Sequence, residues 1–218
     1  MENYIYPNME ENYYAYEYFS PTMYIKLAKA GFISTSATLI NKRIYLLPEI
    51  QFEYAILYFD NIHISKKVKK LLNQDNYIFA KNKNINLVID KINEYHKDSW
   101  ICEEYKNMLL DIYSNEHDNF ELLTFELYSK KDSSLIAAEI GYKIGKVYTS
   151  LTGFFNRDKK YNNYGKLQLI LLANYLQNEN YEFWNLGHAS LQYKLDLGAI
   201  ILKREQFLKQ WLKYTKFL

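Results

Sequence analysis

Three stretches of the chain hold side chains whose types and spacing suit chemistry. The first is Ile62-His63-Ile64-Ser65-Lys66-Lys67-Val68-Lys69-Lys70. Ser65 reads as the N-cap of a helix, and Ile64, Val68, Leu71 and Leu72 form its apolar stripe. Lys66, Lys67, Lys69 and Lys70 fall off that stripe and make a positive patch. Such a patch suits nucleic-acid phosphates, with affinity that ignores base sequence and weakens with salt. It also reads as a solvated helix face, and both readings stay open here.

The second stretch is Leu151-Thr152-Gly153-Phe154-Phe155-Asn156-Arg157, followed by Tyr164-Gly165-Lys166. A strand end, a polar loop and a helix start form a common binding place, and backbone N–H groups at the helix start can meet an anion. Gly165 alone makes a poor pyrophosphate loop for coenzyme A. The third stretch is Phe183-Trp184-Asn185-Leu186-Gly187-His188. It reads as a strand whose end projects into a crevice, with His188 able to serve as a general base near neutral pH. Tyr193 and Lys194 follow in the turn before the last strand. The four histidines are scattered, and no CxxC, HExxH, Walker loop, GxSxG elbow or Rossmann fingerprint occurs, so neither metal nor cofactor is expected.

The elements that must position these residues are legible from periodicity. Ser20-Pro21 starts a helix to Ala30, ended by Gly31. Strands are expected at Arg43–Leu47 and Phe52–Phe59, with Pro48 between them. Helices follow from Ser65, over Asn84–Tyr95, and around Tyr105, Leu109 and Ile112. From Phe120 the expected order is strand, strand, strand, helix, strand, short helix, strand, helix. The strands are Phe120–Tyr128, Leu135–Ile144, Val147–Leu151, Phe183–Leu186 and Ala199–Leu202. Tyr164–Gln177 is apolar nearly all round and should be buried, and Glu205–Phe217 closes the chain. A meander followed by βαβ-type crossovers predicts an α/β (α+β) fold with one mixed sheet. The boundary near Pro48 divides the chain into a small N-terminal domain, residues 1–48, and a larger one, residues 49–218.

Composition agrees with a globular chain: of 218 residues, 49% are hydrophobic and 24% charged, with a net charge of only +2. Near-neutrality leaves any nucleic-acid affinity to local patches. Cys102 is the only cysteine, so no internal disulfide forms. The first eleven residues lack a signal-peptide pattern, and no apolar run approaches the ~20 residues of a membrane span. The expectation is a cytoplasmic monomer with no membrane partner.

The stretches occur in a familiar order. HISKKVKK resembles the LHISRSMKR-like segment of bacterial leucyl/phenylalanyl-tRNA–protein transferases. Trp100-Ile101 resembles their WI pair, FFNR with Lys166-Leu167 their FSR…SK element, and Leu197-Gly198-Ala199 their LGA. Upstream, Ser20-Pro21 and Lys29-Ala30-Gly31-Phe32 are similar to their SP…RGIF region. The likeness spans Ser20 to Trp211.

The resemblance implies a small N-terminal domain joined to an acetyltransferase-like domain. It implies acyl transfer from the 3′ ester of an aminoacyl-tRNA to a protein's N-terminal amine, without ATP, metal or coenzyme A. His63, Ser65, Lys66, Lys67, Lys69 and Lys70 are then expected to hold tRNA, with Trp100 stacking near the terminal adenosine. Phe154, Phe155, Arg157, Lys166, Trp184 and Tyr193 are expected around the substrate, the apolar ones accepting a hydrophobic aminoacyl group.

Two stretches of the family pattern differ. Thr152 stands where the family carries Glu, and Asn185-Leu186-Gly187 where it carries D-x-Q. His188, Asn185 and Thr152 are the remaining catalytic candidates. An acetyltransferase-fold enzyme with another acyl donor, and a non-catalytic tRNA-binding relative, are the alternatives.

Overall fold

The computed structural model describes residue 1, residues 3–39 and residues 41–216. Capping explains where the helices begin. The Ser20 hydroxyl accepts from Met23 N to start α1 (Pro21–Lys29), Ser65 from Val68 N to start α2 (Lys66–Gln74), and Asn84 Oδ1 from Leu87 N to start α3 (Ile85–Tyr95). The remaining helices are α4 (Glu103–Ser114), α5 (Tyr164–Asn178), α6 (Gln192–Leu197) and α7 (Arg204–Thr215).

β1 (Ile33–Thr38) and β2 (Ile44–Glu49) form an antiparallel pair by themselves. The other strands are β3 (Glu53–Leu57), β4 (Tyr77–Lys81), β5 (Glu121–Ser129), β6 (Leu135–Ile144), β7 (Val147–Phe155), β8 (Phe183–His188) and β9 (Ile200–Lys203). They build one seven-stranded sheet in the order β4-β5-β6-β7-β8-β3-β9. Among the described residues its one parallel pair is β7–β8, joined by the α5 crossover, and the other pairs are antiparallel. The fold is α+β with a mixed sheet.

Both faces of the sheet are covered. Tyr24, Phe32, Leu46, Ile89, Leu109 and Trp211 bring α1, the β1–β2 pair, α3, α4 and α7 onto one face. Val68, Leu167, Leu176 and Leu197 bring α2, α5 and α6 onto the other. Each large apolar side chain enclosed this way contributes about 1.5–3 kcal/mol.

The structure departs from the sequence reading in particular places. β1 and β4 were not anticipated. Pro48 lies inside β2, opposite Ser34, rather than between strands. β7 runs on to Phe155 and β8 to His188, past their expected ends. α7 ends at Thr215, and the expected end at Phe217 lies outside the described residues. Among the described residues no helix is long and apolar enough to cross a membrane.

Candidate active site

β7 and β8 make a wedge. β7 pairs with β6 as far as Phe155, but with β8 only at Val147↔Phe183, Tyr148↔Trp184 and Thr149↔Asn185. Beyond Thr149 the parallel strands part, and β8 stays with β3. The register of β7 on β6 slips at the same place: Thr149 faces Tyr142, Ser150 faces Gly141, and Thr152 faces Ile140. The extra residue, Leu151, is a bulge that re-aims the side chains on either side of it. Ser150 therefore joins the α5 face, and Thr152 the α3 face.

On the α5 face a buried polar cluster borders the wedge. Glu139 of β6 is 5% exposed, and its Oε1 accepts from the Tyr148 hydroxyl at 2.9 Å and the Ser150 hydroxyl at 2.8 Å. The Ser150 oxygen in turn accepts from the indole Nε1 of Trp184 at 2.7 Å. Burial pushes the Glu139 carboxyl up to about 7, against the two hydroxyl bonds and the charge of Lys194. Lys194 of α6 is itself buried, which pulls its ammonium down to about 8 while Glu139 opposes the shift. Its Nζ donates to the His188 carbonyl at 2.6 Å, which pins α6 to the end of β8.

On the α3 face stand the residues that the sequence singled out for catalysis. Asn185 is 1% exposed, and both ends of its amide are engaged. Its Oδ1 accepts from Gly187 N at 3.0 Å, and its Nδ2 donates to Thr149 Oγ1 at 3.4 Å. It braces the last paired rung of β7–β8 and the turn at Gly187, whose φ of +72° favours glycine. That turn brings His188 opposite Tyr54, where its Nε2 lies 2.9 Å from Oε2 of the buried Glu49 of β2. Asn12 and Gln51 also donate to Glu49. Half of the His188 side chain remains open, so it is an exposed imidazole anchored by a carboxylate. Thr152 lies 3.5 Å from His96 Nε2, which also meets the Gly153 carbonyl at 3.0 Å.

The expected substrate residues divide between these faces. Trp184 is fully enclosed and serves as a floor under Ser150, not as a surface a ligand touches. Phe154 packs beneath the α3 side, while Phe155 is 44% exposed at the tip of β7. Tyr95 stands 5.4 Å from the Phe155 ring, and the Arg157 guanidinium lies 4.2 Å over Tyr95. Trp100 is half-buried edge-on to Tyr105, 4.9 Å away, with the cluster opposite α2 and α5.

His63, Ser65, Lys166 and Tyr193 do come together. With Leu169 and Asp196 they line a cavity of about 360 Å³ between α2, α5 and α6. The turn after α6 fixes its mouth. Leu197 O accepts from His63 N at 2.9 Å, and Gly198 has φ +109°. A Cβ at Gly198 would meet the Asn61 carbonyl at 2.0 Å, so this turn and the lead-in to α2 require a glycine there. The Leu197-Gly198-Ala199 and His63-Ile64-Ser65 motifs are thus two sides of one contact. Lys66, Lys67, Lys69 and Lys70 are all exposed beside it.

Glu139, Ser150, Glu49, His96 and Tyr95 were missed in the sequence. Glu139 had a signal. Leu135, Ala137, Glu139 and Gly141 alternate with Ile136, Ala138 and Ile140, so both faces of the strand are apolar around the acid. A strand covered on both faces leaves its charged residue no solvent side.

These features define a class: an α+β protein with a splayed central strand pair, a buried acid–base cluster at the split, and a cationic helix over an adjoining cavity. Residues 56–212 match the leucyl/phenylalanyl-tRNA protein transferase family, and the chain belongs to that family. A leucyl/phenylalanyl-tRNA–protein transferase of Flavobacterium johnsoniae is 26% identical over 153 residues, which covers 70% of this chain and 69% of that one. Among solved structures, L-PGS from Bacillus licheniformis is similar with a TM-score of 0.49 and 12% identity over 76% of this chain. A conserved protein of unknown function from Staphylococcus epidermidis has a TM-score of 0.46 and 13% identity over 87% of this chain. The chain spans 65% and 66% of the lengths of these two structures.

Proposed function

We propose that the protein moves a hydrophobic amino acid of the Leu/Phe class from a charged tRNA to the N-terminal amine of an acceptor protein, as a cytoplasmic monomer. The observation that supports this most is that the family match, residues 56–212, contains the wedge, the lysine helix and the cavity between them. We also propose the division into residues 1–48 and an acetyltransferase-like unit, 49–218.

In this reading the phosphates of the tRNA lie along Lys66, Lys67, Lys69 and Lys70. The 3′ end passes the cavity lined by His63, Ser65, Lys166 and Tyr193 and reaches the wedge. Phe155 and the apolar residues around Phe154 would take the aminoacyl side chain, and Arg157 would hold the loop against Tyr95. Trp100 would stack on a base. The ester is already activated, so holding it against the amine supplies several kcal/mol by positioning alone. His188, anchored on Glu49, is an alternative base on the opposite face of the sheet.

Competition among tRNAs charged with Leu, Phe, Met and Arg tests the donor class. Transfer of Leu or Phe is expected to outrun that of Arg, by steps of roughly 1–3 kcal/mol for each methylene the pocket encloses. Preferential transfer of Arg would overturn an apolar pocket. One observation favours a second reading, a tRNA-binding relative without activity: Thr152 and the enclosed Asn185 stand where the family carries acidic groups.

A further inference from the structure

We propose that Ser150 accepts the proton released by the attacking amine, hands its own proton to Glu139, and that the same pair returns a proton to the leaving 3′-oxygen. This rests on the transfer reading above and gives it an acid–base device, Glu139 of β6 with Ser150 of β7, that uses neither Thr152 nor Asn185.

The Ser150 hydroxyl is placed for this by the bonds it makes. A hydroxyl has one hydrogen to donate and two positions to accept. Its hydrogen goes to Glu139 Oε1 at 2.8 Å. One acceptor position is taken by the Trp184 indole at 2.7 Å. Among the described residues no group takes the other, and Ser150 is the first residue of β7 past its last pairing with β8, partly exposed at the split. The oxygen therefore offers the wedge one lone pair, backed by a carboxylate. Trp184 is fully enclosed and Tyr148 donates to the same carboxylate oxygen at 2.9 Å, so both the hydroxyl and the acid are held in place.

The atoms balance. The neutral amine nitrogen attacks the ester carbon, an N–C bond forms, and the carbonyl pair moves to oxygen. The amine proton passes to Ser150 Oγ as the Ser150 proton passes to Glu139. When the carbonyl re-forms, the C–O3′ bond breaks. The proton on Glu139 then goes back through Ser150 to the 3′-oxygen, which leaves as a hydroxyl. No outside base or cofactor is consumed.

Glu139 can accept only when ionised. The groups that face it are Tyr148 from β7 and Tyr193 and Lys194 from α6. With its carboxyl held near 7, the ionised fraction grows as pH rises through neutrality, so the transfer rate should rise there. An acceptor amine also titrates, at about 7.7–8.0 when unperturbed. The limb that stays put when the acceptor's amine pKa is changed belongs to Glu139.

The test is single-turnover transfer from Phe-charged tRNA to a peptide with N-terminal Arg, across pH 6 to 9. It compares the native chain, Glu139→Gln, Ser150→Ala, their double variant and Glu139→Asp. Each of the first two is expected to slow transfer about 100-fold or more with tRNA affinity unchanged. The double variant should be no slower than the slower single, because the two act as one unit. Glu139→Asp should recover part of the rate and of the neutral limb. Should Glu139→Gln fail to fold, Ser150→Ala, which keeps the acid, decides the matter alone. Native rates and an unchanged pH profile in Ser150→Ala or Glu139→Gln, or multiplied losses in the double variant, would overturn the relay while leaving transfer standing. Absence of transfer by the native chain would overturn the transfer reading and the relay with it.

Discussion

Replacing Lys66, Lys67, Lys69 and Lys70 with Ala is expected to flatten the salt dependence of tRNA binding by about 2.8–3.6 units of log affinity per log salt, at about 0.7–0.9 for each phosphate contact. Between 50 and 200 mM salt the native chain should then lose roughly 50–150-fold more affinity than the variant. The reason lies in where the charges sit. They occupy the first turns of α2, no acidic residue stands in its first turn, and Asp75 comes only after its end. Cations at a helix N-terminus oppose the helix dipole, so this arrangement costs the free helix stability. Among the described residues no ion pair engages any of the four. A bound polyanion would supply the missing counter-charge. Filter-binding or fluorescence titration over a salt series measures the slope. An unchanged slope would make α2 a solvated face and nothing more.

The largest expected effect on stability is at Arg204, the first residue of α7 and 1% exposed. Its guanidinium donates to the carbonyls of Ile50 at 2.6 Å, Gln51 at 3.0 Å and Asn8, and lies 4.7 Å over the Phe52 ring. One side chain thus ties the N-terminal arm, the lead-in to β3 and α7 together. Arg204→Ala leaves three carbonyls without a donor, each at a cost of about 1–3 kcal/mol. A total of roughly 3–5 kcal/mol in a chain of this size lowers Tm by about 6–20 °C. Arg204→Lys should recover little, because an ammonium cannot span the fork of a guanidinium. A Tm within about 2 °C of native for Arg204→Ala, or full recovery by Lys, would contradict this role.

The parts of the fold that periodicity revealed are those whose cores are local. α1, α2 and α3 carry caps and stripes in contiguous residues, and β6 runs from Leu135 to Ile144, between the polar turn at Lys130–Ser134 and the turn at Gly145-Lys146. β1 was illegible because Ser34 and Ser36 fill buried positions, and the bonds that satisfy them are distant. Tyr105 donates to Ser34 O at 2.7 Å, and the Ser36 hydroxyl to Trp100 O. β4 is a five-residue edge strand directly after α2, too short for a pattern. β7 seemed to stop at Leu151 because the bulge there breaks the alternation.

The site divides in the same way. The lysine helix, Lys166 and Leu197-Gly198-Ala199 stood out as motifs, and their meeting at one cavity rests on the Gly198 turn against Asn61. Glu139 was passed over because a single acid in a strand ordinarily faces water, and only the covering of both sheet faces takes that away. The pairing of His188 with Glu49 joins residues from β8 and β2, a long-range contact that no local spacing encodes.

The transfer itself is the most direct test. The full chain is incubated with tRNA bearing radiolabelled Phe or Leu and a peptide with N-terminal Arg or Lys, and the products are sequenced. The account predicts label in amide linkage on the peptide's first residue, with one deacylated tRNA for each peptide extended. Label that stays on tRNA, with every donor and acceptor tried and with tRNA still bound by α2, would contradict it.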